Sequence, residues 1–176
     1  KIPAVEPQIY EDIIDLSELV TRARSAVERD ERDREKNIIQ VHDLEMPMRF
    51  AKQVMALVYG YAVINNNSIL TDADRKTIHK LALDCIPAMR RVCLQQLVHY
   101  RTIATAGLAV ALQLPTSTVR RALQDMASLG ILIQTKVKSN RDEWELKPEY
   151  RQLLSVYEGI KITDEFLSEE TTITEE

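Results

Sequence analysis

The spacing of hydrophobic residues along the chain predicts a mainly helical protein. Between residues 9 and 27, apolar side chains recur at gaps of three and four, which is the period of an amphipathic helix. These positions are Ile9, Ile13, Leu16, Val20, Ala23 and Val27. From Met48 to the "NNNS" loop, the same period predicts a second helix with one broad apolar face. Its members are Phe50, Val54, Leu57, Val58, Tyr61 and Ile64.

Two more helices are predicted before residue 99. "LTDADRKTIHKLALDCI" offers Thr71 as an N-cap, and Asp72 and Asp74 suit the positive end of the helix dipole. Pro87 either kinks this helix or lies in the first turn of the next one, "PAMRRVCLQQLVHYR". Three apolar helices with short connections predict a helical bundle over residues 47–99.

The segment between the first two helices has no apolar periodicity. "ERDERDREK", residues 28–36, alternates charges and is interpreted as a solvated helix extension or an exposed linker. "NIIQVHDLEMP" is interpreted as a short strand or an extended connector that Pro47 closes. Residues 1–46 are therefore predicted to be an N-terminal helix followed by a linker.

The last third of the chain changes from helices to a hairpin. "TIATAGLAVALQL" predicts a short helix that Pro115 ends, and Thr116 or Ser117 then caps a second helix. After Gly130, "ILIQTKVK" alternates, "SNRD" forms a turn, and "EWELK" alternates back. Residues 131–137 and 143–146 are expected to pair as the hairpin, with Trp144 in a strand.

The helix after Pro115 separates its apolar and polar side chains cleanly. At 100° per residue, one face is predicted to be buried; it holds Val119, Ala122, Leu123 and Met126. The opposite face holds Ser117, Arg121, Gln124 and Ser128, with Arg120 on the flank.

The exposed face suits the reading of DNA bases. Arg can bond guanine O6 and N7 in a bidentate way, Gln can do the same for adenine, and Ser is adaptable. Arg120 is placed for a phosphate, and the helix start supplies backbone N–H groups. The predicted DNA-binding residues on this helix are Thr116, Ser117, Thr118, Arg120, Arg121, Gln124 and Ser128. In the hairpin they are Lys136, Lys138 and Arg141, as contacts to the DNA backbone.

Residues 106–132 resemble a winged helix-turn-helix domain. The resemblance rests on Gly107-Leu108-Ala109, on Leu112 and Leu114, on "TVRR" at 118–121, and on "LGIL" at 129–132. It implies a domain over residues 100–148, with the second helix in the major groove and a small β-hairpin wing along the backbone. Winged helices also serve as protein-docking or oligomerisation modules, and that alternative stays open.

The preceding helices, "EMPMRFAKQVMALVYGYAVI" onward, are similar to segments that follow an ATPase core in some replication and mobile-element proteins. The resemblance implies that any ATPase activity lies upstream of Lys1. Since the chain begins without Met, we expect a part of a larger replication, mobile-element or regulatory protein. The alternative is a bundle that packs against the winged helix or builds a homo-oligomer.

Charge is distributed unevenly around a net value of −4. Residues 1–99 carry 14 basic and 15 acidic side chains, a balance of −1. Residues 100–148 carry 7 basic and 4 acidic ones, or +3, and residues 149–176 carry 2 and 8, or −6. The basic segment coincides with the winged-helix resemblance, and the acidic segment, 149–176, is predicted to be a disordered tail.

The sequence lacks the residue patterns that several classes of function require. Three separated histidines (His42, His79 and His99) and four isolated glycines form neither a metal-ligand spacing nor a phosphate-binding loop. No nucleophile motif occurs, so we expect no enzyme in this chain, no cofactor and no metal.

The compartment follows from what the sequence lacks. No apolar run approaches the ~20 residues of a membrane span, and no signal peptide opens the chain. Cys85 and Cys93 are too few for a disulfide framework and are interpreted as small buried hydrophobes. We therefore expect a cytoplasmic, reducing setting, with DNA as the main partner and no membrane.

The opposite charges of the last two segments generate a prediction. Deleting residues 158–176 should raise non-specific DNA affinity at low salt, because the acidic tail competes for Lys136, Lys138 and Arg141 within a Debye length of ~8–10 Å. The gain should shrink as salt is added. Equal affinities of the full and truncated chains for one duplex at low salt would contradict this.

Overall fold

The computed structural model describes residues 4–67, 69–70, 72–137 and 141–158. Over these residues the chain is mainly helical, with small antiparallel sheets. In chain order the elements are α1 (Pro7–Arg24), β1 (Val27–Arg29), β2 (Ile38–Val41), α2 (Pro47–Ile64), α3 (Asp72–Leu83), α4 (Ala88–Leu97), β3 (Ile103–Ala104), α5 (Thr105–Leu112), α6 (Thr116–Ser128), β4 (Leu132–Val137), β5 (Arg141–Leu146) and α7 (Pro148–Glu158). No helix in these ranges is long and apolar enough to cross a membrane.

Helix α1 is the element around which the N-terminal part packs. It contacts α2, α3 and α7, and the predicted apolar stripe is buried from Ile9 to Ala23. Two hydroxyls inside this stripe donate to carbonyls of the preceding turn, Ser17 to Ile13 and Thr21 to Ser17. These bonds satisfy polar groups that would otherwise be costly to bury. The helix ends at Arg24, so Val27 lies outside it.

Residues 27–41 form an antiparallel hairpin of β1 and β2. The helix extension or linker predicted for residues 28–36 is wrong for Glu28 and Arg29, which lie in β1, whereas the short strand predicted within "NIIQVHDLEMP" is confirmed by β2. Acidic side chains in this segment stabilise the turn between the two strands. Asp33 accepts the backbone N–H groups of Glu35 and Asn37, and Asp30 accepts that of Arg32. Asp side chains favour such local bonds over helix.

The three helices predicted for the middle of the chain are present as α2, α3 and α4, but their main contacts divide them: α2 and α3 pack on α1, whereas α4 packs on α5 and α6. Pro87 is the N-cap residue of α4 and does not kink α3. On α2 the buried stripe is narrower than predicted: Phe50, Val54 and Val58 are buried, whereas Leu57 and Ile64 are 59% and 85% exposed. The helices that pack on α2, namely α1 and α3, leave those two positions uncovered.

The C-terminal elements form a three-stranded sheet in the order β3-β5-β4. The predicted hairpin is confirmed, with Leu132 opposite Leu146 and Gln134 opposite Trp144. Trp144 is fully buried, and its indole N–H donates to the hydroxyl of Thr105 at 2.8 Å. The pairing of β3 with β5 was not predicted, because two residues are too few to show an alternating pattern.

The disordered tail predicted from residue 149 is wrong for residues 149–158, which lie in α7. Tyr150, Leu153 and Leu154 are buried at helical spacing, and this apolar stripe outweighs the acidic composition. The buried Arg151 donates to the carbonyls of Val98, Tyr100 and Arg101, so it ties α7 to the end of α4. The acidic residues 159–176 lie outside the described part of the chain.

Asp125 of α6 joins the two halves of the protein. It accepts from Arg29 of β1 at 2.6 Å and from Arg90 of α4 at 3.1 Å. Arg90 also donates to the carbonyls of Ala23 and Ser25 at the end of α1, at 2.8 and 2.7 Å. The three charged side chains are only 11% to 18% exposed. A carboxylate with little water around it therefore holds α1, β1 and α4 in place on α6.

Removing this carboxylate should destabilise the fold. Asp125→Ala leaves two poorly hydrated guanidinium groups without their counter-ion, so the free energy of unfolding should fall by about 3 kcal/mol. Urea denaturation followed by circular dichroism measures it. The matched control is Asp84→Ala, which breaks the more exposed ion pair with Arg91 and should cost less than about 1 kcal/mol. Equal losses would contradict the special role of Asp125.

A second polar cluster lies between α1 and α3. His79 is 1% exposed, and its Nε2 lies 3.7 Å from a carboxylate oxygen of Asp12, which also accepts from Arg75. Burial lowers the pKa of His79, Asp12 opposes this effect, and Arg75 adds to it. The folded protein therefore holds His79 neutral at neutral pH.

The lowered pKa of His79 predicts a loss of stability in mild acid. The unfolded chain binds a proton at this residue as pH falls below about 6.5, whereas the folded protein resists protonation until its lower pKa is reached. Below about pH 6.5 the unfolding free energy should therefore fall, by at most about 1.4 kcal/mol per pH unit for this group. His79→Gln should flatten that slope, whereas exposed His99→Gln should keep it. An unchanged slope in His79→Gln would contradict the prediction.

Candidate nucleic-acid interface

Helix α6 begins directly after Pro115. The N-cap residue is Pro115, with no side-chain cap, so the predicted cap by Thr116 or Ser117 is wrong and both residues are helical. The fixed backbone angle of proline sets the start of the helix in place of a hydroxyl. The positive end of the helix dipole consequently lies at Thr116 and Ser117, which are both exposed.

The buried face of α6 is as predicted: Val119, Ala122, Leu123 and Met126 are all in the core. The N-terminal half of the helix presents an exposed polar surface on its other side. Arg120 and Arg121 are exposed beside Thr116 and Ser117, and Thr118 is half-buried. Five of the seven predicted helix residues thus lie along one half of α6.

The C-terminal half of α6 faces the β1–β2 hairpin. Arg29 donates to the amide oxygen of Gln124 at 3.3 Å and to the carbonyl of Arg121 at 3.0 Å. Gln124 is therefore half-buried, and its acceptor oxygen is occupied by another part of the chain. Ser128 is exposed, and its hydroxyl donates to the carbonyl of Asp125 at 2.7 Å.

A groove of about 470 Å³ separates the two hairpins beside α6. It is lined by Asn37 and Ile38 from the first hairpin, by Gln124 and Ser128, and by Gln134 on β4. The β1–β2 hairpin thus forms one wall next to the surface predicted to bind DNA. Sequence reasoning missed Arg29, since an arginine in a run of alternating charges carries no sign of a partner almost a hundred residues away.

The cations of the β4–β5 hairpin lie among acids. Lys136 is exposed opposite Asp142, and Arg141 is exposed opposite Val137. The carboxylate of Asp142 accepts from Gln134 at 2.9 Å. Lys138, the third predicted hairpin cation, lies outside the described residues. This part of the predicted interface is therefore less positive than its lysines and arginines alone suggest.

The ion pairs of Asp125 affect the charge that α6 presents to solvent. Asp125 is the one acid in this helix, and it faces two guanidinium groups inside the protein. Arg120 and Arg121 consequently lie on the exposed side of a helix that has no acid of its own directed to solvent. The positive dipole end adds to the same potential.

The two cysteines differ in their surroundings. Cys93 is fully buried, and burial raises the pKa of its thiol to about 12. Cys85 is exposed, so the prediction of a buried hydrophobe is wrong for it. In the described ranges no group of three or more His, Cys, Asp and Glu could hold a metal ion.

No protein-family model matches the chain, and no curated protein matches it. The chain is similar to a solved structure described as "Structure of Disulfide formed AbfR", with 16% identity and a TM-score of 0.39. The similarity covers 68% of this chain and 81% of that one. A likeness of this degree does not indicate a function.

Proposed function

We propose that the chain binds double-stranded DNA through a winged helix-turn-helix formed by residues 88–146, with α6 in the major groove. The observation that carries the proposal is the exposed half of α6, where Arg120 and Arg121 stand beside Thr116 and Ser117 while Asp125 is paired inside the protein. A polar, cationic helix face at a positive dipole end fits the phosphates and base edges of a major groove.

The order of elements supports the same domain. Helix α4, the short strand β3, the helices α5 and α6 and the β4–β5 hairpin follow one another, and β3 pairs with the far strand of the hairpin. In this arrangement α6 is the recognition helix and the hairpin is the wing. We extend the domain to α4 because that helix packs on α5 and α6.

Arg121 is the residue proposed to read a base, and Arg120 the one proposed to bond a phosphate. Gln124 contributes less than its residue type implies, because Arg29 occupies its acceptor oxygen. A place in a larger replication, mobile-element or regulatory protein, without enzyme activity in these residues, is part of the same proposal. It rests on the resemblance of the preceding helices.

Arg121→Ala should weaken binding to a preferred duplex by about 1–3 kcal/mol and relax its sequence preference. The preferred duplex is obtained by selection from a random pool. Fluorescence anisotropy then measures the affinity of each protein for the selected duplex and for an unrelated duplex. Lys80→Ala is the matched control, since Lys80 is an exposed cation on α3. Equal affinity of Arg121→Ala and the unchanged protein for the selected duplex would remove Arg121 from the interface.

Substitutions of phosphate-contacting cations should have a different signature. Arg120→Ala and Lys136→Ala should weaken binding to all duplexes alike and lower the salt slope by about 1 each. If no duplex binds at low salt, while a protein partner binds and is lost in Arg121→Ala, the domain is a protein-docking module and DNA binding is refuted.

A further inference from the structure

Helix α2 presents an apolar face that the rest of the described chain leaves uncovered. Leu57, Val63 and Ile64 are 59%, 64% and 85% exposed, and Ala56 and Gly60 are exposed between them. From residue 53 to residue 67 the sequence contains no Asp, Glu, Lys, Arg or His. A helix face turned to water normally carries charges, so this one fits a surface that another chain covers.

We propose that this face, defined by Ala56, Leu57, Gly60, Val63 and Ile64, pairs α2 with α2 of a second copy in an antiparallel, two-fold homodimer. The proposal does not rest on DNA binding, because no residue of α6 or of the β4–β5 hairpin takes part.

The face combines two small residues with a groove on each side. The small residues Ala56 and Gly60 form a low ridge along the helix, and a Cβ added at Gly60 would meet nothing within 4 Å. On one side of the ridge, a groove of about 530 Å³ lies between α2 and α3, bordered by Leu57 and Leu81. On the other side, a groove of about 420 Å³ lies between α1 and α2; its lining is mostly apolar and includes Ile14, together with Lys52, Tyr10 and Tyr59.

Ridge and grooves on a single surface are what a two-fold interface requires, because the same patch serves both chains. At the small ridge the two helix backbones can approach closely. The large side chains beside the ridge, Leu57 and Ile64, can then enter the grooves of the partner.

The charges at the two ends of α2 select the antiparallel arrangement. Arg49 and Lys52 lie exposed near the start of the helix, whereas its last turn has no basic residue. In an antiparallel pair, these cations lie beside the carbonyl end of the partner's helix, which is the negative end of its dipole. A parallel pair would bring the four cations together and leave both carbonyl ends uncompensated.

The surface is also large enough. With the neighbouring exposed side chains Tyr10, Ile14, Met48 and Leu81, the apolar area is on the order of 700 Å², close to the ~800 Å² per partner of a standard stable interface. Over its 18 residues the helix is about 27 Å long, which suffices for the contact.

Sedimentation velocity of the full chain over a concentration series up to about 100 µM tests the proposal. We expect a reversible dimer, and Ile64→Lys should raise its dissociation constant ten-fold or more, because each new lysine replaces an apolar contact and lies at the helix end that faces the cations of the partner's α2. Val110→Lys is the matched control, because Val110 is an exposed valine on α5, 77% accessible, outside the proposed face. It should leave the dissociation constant unchanged.

Gly60→Leu separates dimerisation from folding. The added side chain has open space in the single chain, and replacing glycine inside a helix favours the helix. The variant should therefore melt no lower than the unchanged protein at a concentration where both are monomeric, yet dimerise at least ten-fold more weakly. A monomer at about 100 µM overturns the proposal, and so does a dimer that Ile64→Lys and Gly60→Leu leave intact.

Discussion

The structure depends on the carboxylate of Asp125, which lies between two guanidinium groups. Arg29 reaches it from the β1–β2 hairpin and Arg90 from α4, and Arg90 also bonds the last carbonyls of α1. A partly desolvated ion cluster of this kind adds less net stability than its contacts suggest, but losing one member is expensive. Its contacts join α6 to β1, to α4 and to the end of α1.

The two halves of α6 have different surroundings. In its C-terminal half, Gln124 and Asp125 accept hydrogen bonds from Arg29 inside the protein. Its N-terminal half, with Arg120 and Arg121, is exposed and has no acid of its own facing water. The same internal ion pairs that hold the fold together thereby remove the negative charge that would oppose DNA. The uncharged face of α2 has the opposite character and suits a protein contact.

The parts of the fold that sequence predicts well are those with a local cause. The buried face of α6 follows from the helical period of Val119, Leu123 and Met126, and the β4–β5 hairpin follows from alternation around a polar turn. The parts it misses have partners far away in the chain. Strand β3 exists because β5 completes it, and α7 is held by buried residues such as Leu154 in spite of its acidic surroundings.

The sequence by itself determined a mainly helical protein, the break between α5 and α6 at Pro115, and the face of α6 that is buried. Helix period, proline geometry and strand alternation are local properties, so they can be read without knowing any partner. Only the tertiary structure decided which polar residues remain exposed. Arg29 and Gln124 come from segments almost a hundred residues apart, and their contact depends on how α1, α4 and α6 pack. Charge can be counted from a sequence, but its compensation depends on distances that exist only after folding.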